Sequence, residues 1–318
     1  MIELPLVLFV LGFVVLVKGA QYLVSGASSL ARLFGLSPWF IGVVLVGIGT
    51  SIPELSITMA ASARGDEVGV ALLAGSSVMN ILLILGAASL IRPLVFRREW
   101  VMIDLPFGIL ALLLAMLFLF VSVLEGETTA GISRGEGFAL LACMFVWILA
   151  LLRRKSTHGD EVDTKVFSWF ASFVLVCIGF IGVLVGGQWI VDGAETIATM
   201  AGVSASLIGL TILAFGTAIP NFIVTFVAAA RGHMGIAIGS IVGSNIFYFF
   251  GIMGFAAVIE PIAAPYSLLA DLVFASMVAL LLFLFARFGS ARFTLTRGEG
   301  ILFLLLYAAY VAFLIVRG

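Results

Sequence analysis

Gly49-Thr50-Ser51-Ile52-Pro53-Glu54 sits in the middle of an apolar run from about Ser37 to Ala63. That run is long enough to cross a bilayer. A glycine, two hydroxyls, a proline and a carboxylate do not suit a lipid-facing helix. Pro53 removes a backbone donor and its ring crowds the preceding turn, so a break or kink is expected there. Non-helical backbone at membrane depth persists only when it is buried in protein or lines a wet cavity. A carboxylate at that depth, here Glu54, reads as functional.

The pattern occurs twice. Gly216-Thr217-Ala218-Ile219-Pro220-Asn221 lies in a second apolar run, from about Ala205 to Ala230. The flanks repeat too: LVKGAQYLV from Leu16 answers to LVGGQWIV from Leu184, and AASARG ending at Gly65 to VAAARG ending at Gly232. LAGSSVMN ending at Asn80 answers to SIVGSNIFY ending at Tyr248. A shift of about 167 residues aligns nearly all of this, so the chain reads as a tandem duplication.

Hydrophobic residues make up 63% of the 318 residues and charged residues 10%. That balance excludes a soluble globular domain, and the long unbroken apolar runs exclude a β-barrel. The reading is an all-α membrane protein in a lipid bilayer. The net charge of −1 and the scattered basic residues give no footprint for nucleic acid. Cys143 and Cys177 lie inside apolar spans and read as small buried hydrophobes. The amino-terminal Met1-Ile2-Glu3-Leu4-Pro5 lacks a basic leader region, so the first span is expected to be retained.

Ten spans are expected, near 4–33, 37–63, 67–92, 101–124, 134–152, 166–199, 203–230, 233–259, 266–287 and 297–316. They divide into a five-helix repeat over residues 1–152, a linker loop over 153–165 and a second repeat over 166–318. An odd number of spans per repeat makes the second copy enter from the opposite side, so the duplication is inverted, with helices two and seven broken at Pro53 and Pro220. Arg32, Arg92, Arg97, Arg98, Arg153, Arg154, Lys155, Lys165, Arg231, Arg287, Arg292 and Arg297 fall on one side, and only Arg64, Arg134 and Arg317 on the other. The positive-inside rule then puts the linker in the cytoplasm and both termini outside.

An inverted repeat brings the two breaks together near the midplane. Four polar clusters converge there: Thr50, Ser51 and Glu54; Ser76, Ser77 and Asn80; Thr217 and Asn221; Ser244, Asn245 and Tyr248. Every one offers an oxygen, the donor that hard cations such as Na⁺ and Ca²⁺ take. The set holds no His or Cys, which disfavours zinc or copper. Single Ser and Asn residues in membrane helices mostly bond to a neighbouring helix, and that plainer reading is preferred for Ser77 and Asn245. Asp104, Asp192, Glu195, Glu260 and Asp271 lie near span ends and read as solvated or salt-bridged, and Lys18 as snorkelling or paired. His158 and His233 lie outside the constellation and form no catalytic dyad, so an enzyme is not expected.

The paired motifs GTSIPE with GSSVMN and GTAIPN with GSNIFY resemble those of the cation/Ca²⁺ exchanger superfamily, most closely its compact prokaryotic sodium/calcium exchangers. The resemblance covers nearly the whole chain. It implies a ten-span inverted-repeat fold in which spans two, three, seven and eight form the ion site, while spans one and six slide across the rest. Carried over by position, it implies ligands at Thr50, Ser51, Glu54, Ser76, Asn80, Thr217 and Ser244. Three positions depart: Asn221 stands where such exchangers usually carry a second glutamate, Tyr248 where an aspartate is frequent, and Ala218 replaces a serine. One carboxylate remains where the pattern offers two or three.

The expected function is therefore a secondary cation antiporter of the sodium/calcium exchanger type, using no cofactor. Its ions bind among Glu54, Thr50, Ser51, Ser76, Asn80, Thr217, Asn221, Ser244 and Tyr248. Tyr248 either adds a phenolic oxygen or plugs an ion position. The set is complete within one chain, so a monomer suffices. Two alternatives stay open: a monovalent or proton-coupled exchanger with weak Ca²⁺ binding, and a channel or sensor without coupled exchange.

Overall fold

The computed structural model describes residues 3–62, 68–124, 130–154, 166–200, 214–264 and 267–317. The chain is helical almost throughout. In order, the elements are α1 (Glu3–Leu33), α2 (Pro38–Thr50), α3 (Ile52–Ser62), α4 (Gly69–Ile91), β1 (Leu94–Val95), α5 (Trp100–Val121), β2 (Ala130–Ile132) and α6 (Arg134–Arg153). There follow α7 (Trp169–Met200), α8 (Ala214–Ala230), α9 (Met234–Ile259), β3 (Ile262–Ala264), α10 (Ser267–Phe288), β4 (Thr294–Leu295) and α11 (Arg297–Arg317). Among the described residues, eight helices are long and apolar enough to cross a membrane, or nine if the bent pair α2–α3 is one span. The shorter apolar helix Gly216–Ala230 lies within α8; the expected start of that span, 203–213, and most of the 153–165 linker are outside the described residues.

Packing follows side-chain size. α1 carries Gly12, Gly19 and Gly26 at seven-residue spacing, and α7 carries Gly179, Gly186 and Gly193. Seven residues is close to two helical turns, so each set forms one stripe. The stripes face each other: a Cβ on Gly19 would lie 2.7 Å from the Val183 nitrogen, and one on Gly186 2.6 Å from the Leu16 nitrogen. Without side chains between them the two backbones touch, which is how membrane helices gain dispersion contacts where no hydrophobic drive operates. At 31 and 32 residues both helices exceed what a perpendicular crossing needs.

The halves contact each other reciprocally. α9 packs on α2, and α8, the counterpart of α2, packs on α4, the counterpart of α9. α6 packs along the end of α9 as α11 packs along the end of α4. The short strands obey the same exchange: β1 pairs antiparallel with β4, Leu94 opposite Leu295, and β2 with β3, Gly131 opposite Ala263. Burial sorts the helices, with α4 72% and α9 83% inside against 22% for α6 and α11. The two central helices are those that carry the polar clusters of Ser76–Asn80 and Ser244–Tyr248.

The first expected break is present. α2 ends at Thr50, α3 starts at Ile52, and their axes differ by 47°. Ser51 between them has φ −91 and ψ 7, the bridge region of backbone space. The second expected break is corrected: helix α8 runs unbroken from Ala214 through Pro220 to Ala230. The ring at Pro220 rests over Gly187, whose Cβ would lie 3.5 Å from Pro220 Cγ, so α7 leaves it room. Gly216, four residues earlier, bears the carbonyl that loses its donor and presents no side chain.

Among the described residues, π-helical stretches occur at Ile41–Gly47 in α2, Met79–Leu85 in α4, Trp100–Asp104 opening α5 and Phe247–Ile252 in α9. Those in α4 and α9 sit at equivalent places in the two halves. Each begins beside the polar residue of interest, Asn80 or Tyr248, and widens the helix there.

Candidate functional site

The site is built where α2–α3, α4, α8 and α9 meet. The π-helical stretch in α2 ends at Gly47, whose carbonyl is left for side chains. It accepts from Ser51 Oγ at 2.7 Å, from Thr50 Oγ1 at 3.3 Å and, across the interface, from Ser244 Oγ of α9 at 2.9 Å. Thr50 also donates to the Val46 carbonyl at 2.8 Å. A hydroxyl that has given its proton to a carbonyl keeps lone pairs free, so these three buried hydroxyls face any ion as acceptors. α9 comes this close because Gly243 has no side chain; a Cβ there would lie 2.5 Å from the Val43 carbonyl oxygen.

Glu54, one residue past Pro53 in the first turn of α3, is fully buried. Its Oε1 accepts from the Tyr248 hydroxyl at 3.1 Å. That hydroxyl in turn accepts from Asn221 Nδ2 of α8 at 3.3 Å and from Asn80 Nδ2 of α4 at 3.4 Å. Asn80 Nδ2 also donates to Asn245 Oδ1 at 2.8 Å. Four elements are thus tied through one phenolic oxygen. Three acceptors of the cluster are buried with no hydrogen-bond partner: Glu54 Oε2, Asn80 Oδ1 and Asn221 Oδ1. An unsatisfied buried acceptor costs about 1–3 kcal/mol, and a charged one more. A desolvated cation is the natural partner for such a set.

Of the residues expected from the sequence, Glu54, Asn80, Asn221 and Tyr248 meet in one hydrogen-bonded cluster, and Thr50, Ser51 and Ser244 meet at the Gly47 carbonyl beside it. Thr217 is half-buried one helical turn before Asn221. Ser76 is buried on α4 but enters none of these bonds; its neighbour Ser77 is fully buried with an unpartnered hydroxyl. Asn245, read from the sequence as bonding to a neighbouring helix, does so, its Oδ1 accepting from Asn80 Nδ2 of α4. Its signal was its place in the second copy of the motif, where it answers to Ser77.

Several other charges among the described residues make structural contacts, while the Glu195 side chain lies outside the described residues. Asp104 is fully buried and held by Arg154 at 2.7 Å and Trp147 Nε1 at 3.1 Å. Glu260 pairs with Arg134 at 3.7 Å on the exposed face, and Asp192 accepts from Gln188 at 2.7 Å. Lys18 is exposed on the outer face of α1. Cys143 and Cys177 are free thiols.

Comparison with known proteins agrees with this architecture. The sodium/calcium exchanger protein family matches residues 4–153 and again residues 171–316, once per half. A membrane protein of Methanocaldococcus jannaschii is 35% identical over 308 residues, covering 96% of each chain. The sodium/calcium exchanger MaX1 of Methanosarcina acetivorans is 29% identical over 99% of each chain. Among solved structures, the sodium-calcium exchanger NCX_Mj soaked with 10 mM Na⁺ and zero Ca²⁺ superposes with a TM-score of 0.85 at 30% identity, over 98% of this chain and 99% of that one. The chain belongs to the sodium/calcium exchanger protein family.

Proposed function

We propose that the chain is a secondary active cation antiporter of the sodium/calcium exchanger type, carrying its ions through the Glu54 cluster by alternating access. The observation that carries this reading is the trio of buried, unpartnered acceptor oxygens on Glu54, Asn80 and Asn221. Thr50, Ser51, Ser76, Thr217 and Ser244 complete the oxygen set, and Tyr248 holds it together. The cations are the transported substrates; no cofactor takes part, and one chain suffices.

The architecture proposed is ten spans in two inverted repeats, residues 1–152 and 166–318, joined by a cytoplasmic linker at 153–165. Its support is the double family match and the reciprocal contacts of the halves. The distribution of Arg and Lys supports termini outside the cytoplasm, and the prokaryotic relatives support a place in a prokaryotic cytoplasmic membrane. The touching stripes of α1 and α7 suit a pair that moves together across the remaining bundle.

The test is isotope uptake into proteoliposomes under imposed Na⁺, K⁺ and H⁺ gradients. Uptake of labelled Na⁺ or Ca²⁺ that requires a cation on the opposite side supports the antiporter. Uptake that needs no trans cation makes it a channel and overturns the reading.

A further inference from the structure

A phenolic hydroxyl has one proton to give and two lone pairs with which to accept. Tyr248 uses all three, donating to Glu54 Oε1 and accepting from Asn80 Nδ2 and Asn221 Nδ2. Because its proton is committed to the carboxylate, both asparagines must present their NH₂ groups to it. Asn80 is fixed a second time, since the same nitrogen donates to Asn245. The carbonyl ends of both amides are thereby turned away from Tyr248, and Glu54 is left with its other oxygen bare. All three bare acceptors belong to groups bonded to one hydroxyl.

We propose that Tyr248 is the specificity-determining residue of this seat: by orienting Asn80, Asn221 and Glu54 it offers one carboxylate oxygen and two amide carbonyls to a single monovalent alkali cation, in preference to Ca²⁺. The proposal rests on the antiporter reading in assigning the ion to the Glu54 cluster. Charge decides the preference. Glu54 is the one carboxylate among the hydrogen-bonded residues of the cluster, so a monovalent ion is neutralised there. A divalent ion leaves one uncompensated positive charge in a dry site. Ca²⁺ also takes six to eight oxygens and draws its affinity from several carboxylates. The Tyr248 oxygen has no lone pair left for an ion, and its fully buried ring fills the space beside the carboxylate. Tyr248 therefore acts through the groups it positions.

The test is calorimetric titration of the purified full chain with NaCl, KCl and CaCl₂ in turn, at constant ionic strength. The wild type is expected to bind one Na⁺ or K⁺ per chain, with Ca²⁺ about tenfold weaker or more. Tyr248→Phe keeps the ring and releases both amides; the preference for the monovalent ion is expected to shrink by about tenfold. Asn221→Asp keeps the volume and adds a charge; it is expected to move the preference toward Ca²⁺ by at least about tenfold. The ratio of the two affinities is the informative readout, because general loosening of the fold lowers both together. Tighter Ca²⁺ than Na⁺ and K⁺ in the wild type, no binding of any of the three, or an unchanged ratio in Tyr248→Phe overturns the proposal. If Tyr248→Phe does not fold, an unchanged ratio in Asn221→Asp does so instead. Counterflow in proteoliposomes is a separate readout: lost exchange with intact Na⁺ binding rejects the antiporter and keeps the seat.

Discussion

Pro53 and Pro220 occupy the same place in the two halves, and the chain treats them differently. At Pro53 the span bends by 47° between α2 and α3 and delivers a carboxylate in the next residue. At Pro220 the α-helix continues through to Ala230, with the ring against Gly187, and the next residue is the neutral Asn221. The central helices differ in the same way, with Asn80 in one half and Tyr248 at its counterpart. Both copies keep what packing demands: small residues at close approaches, a π-helical stretch at the polar residue, and the same neighbours. What they do not share is charge. The first half supplies the cluster's negative charge, and the second supplies dipoles that orient around it. Backbone architecture and charge are therefore separable in this fold.

The sharpest way to break that comparison is to remove the one charge. Glu54→Gln is expected to abolish ion-dependent transport in proteoliposomes while the protein remains folded, checked by its elution as a single species on size exclusion. Transport unchanged in that variant would mean the charge lies elsewhere. Restoring symmetry is the converse experiment. Asn221→Glu places a carboxylate in each half and is expected to raise Ca²⁺ affinity relative to Na⁺ by about one to two orders of magnitude, measured by calorimetry. Part of the Coulomb gain is lost to repulsion between the two carboxylates in the empty site.

A third experiment probes what the halves share. Gly19→Val and Gly186→Val insert side chains from opposite sides into the same α1–α7 seam. Each is expected to destabilise the protein by about 1–3 kcal/mol, seen as a lower thermal midpoint, and by similar amounts. A large inequality would show that the seam is not equivalent from its two sides. The smallest effect is expected at Arg231, whose guanidinium bonds to Ser25 Oγ at 2.8 Å and to the Gln21 carbonyl at 3.2 Å, tying the end of α8 to α1. Arg231→Ala removes exposed bonds worth about 1 kcal/mol or less, so transport rate is expected to change by a few-fold with equilibrium ion affinity unchanged. A changed affinity would place Arg231 in the energetics of the site itself.

The spans, the duplication and the bend at Pro53 were legible in the sequence because the bilayer removes most alternatives. An apolar run in lipid must be a helix, and a proline beside a carboxylate within it must face protein or an ion. Residue type alone also identified Glu54 as the carboxylate of the cluster. Other features depended on neighbours distant in sequence. That α8 continues helical through Pro220, with the ring against Gly187 of α7, could not be read from the proline alone. Which group Asn245 bonds to was decided by Asn80, brought beside it from the other half. The role of Tyr248 was the least legible, because a tyrosine in an apolar run offers only an oxygen of unknown orientation. Tertiary packing surrounded that hydroxyl with Glu54, Asn80 and Asn221, and so determined which of its bonds are given and which accepted. Sequence fixes the inventory of donors and acceptors, whereas their pairing is a property of the folded site, where each buried group must find its partner or be left bare for an ion.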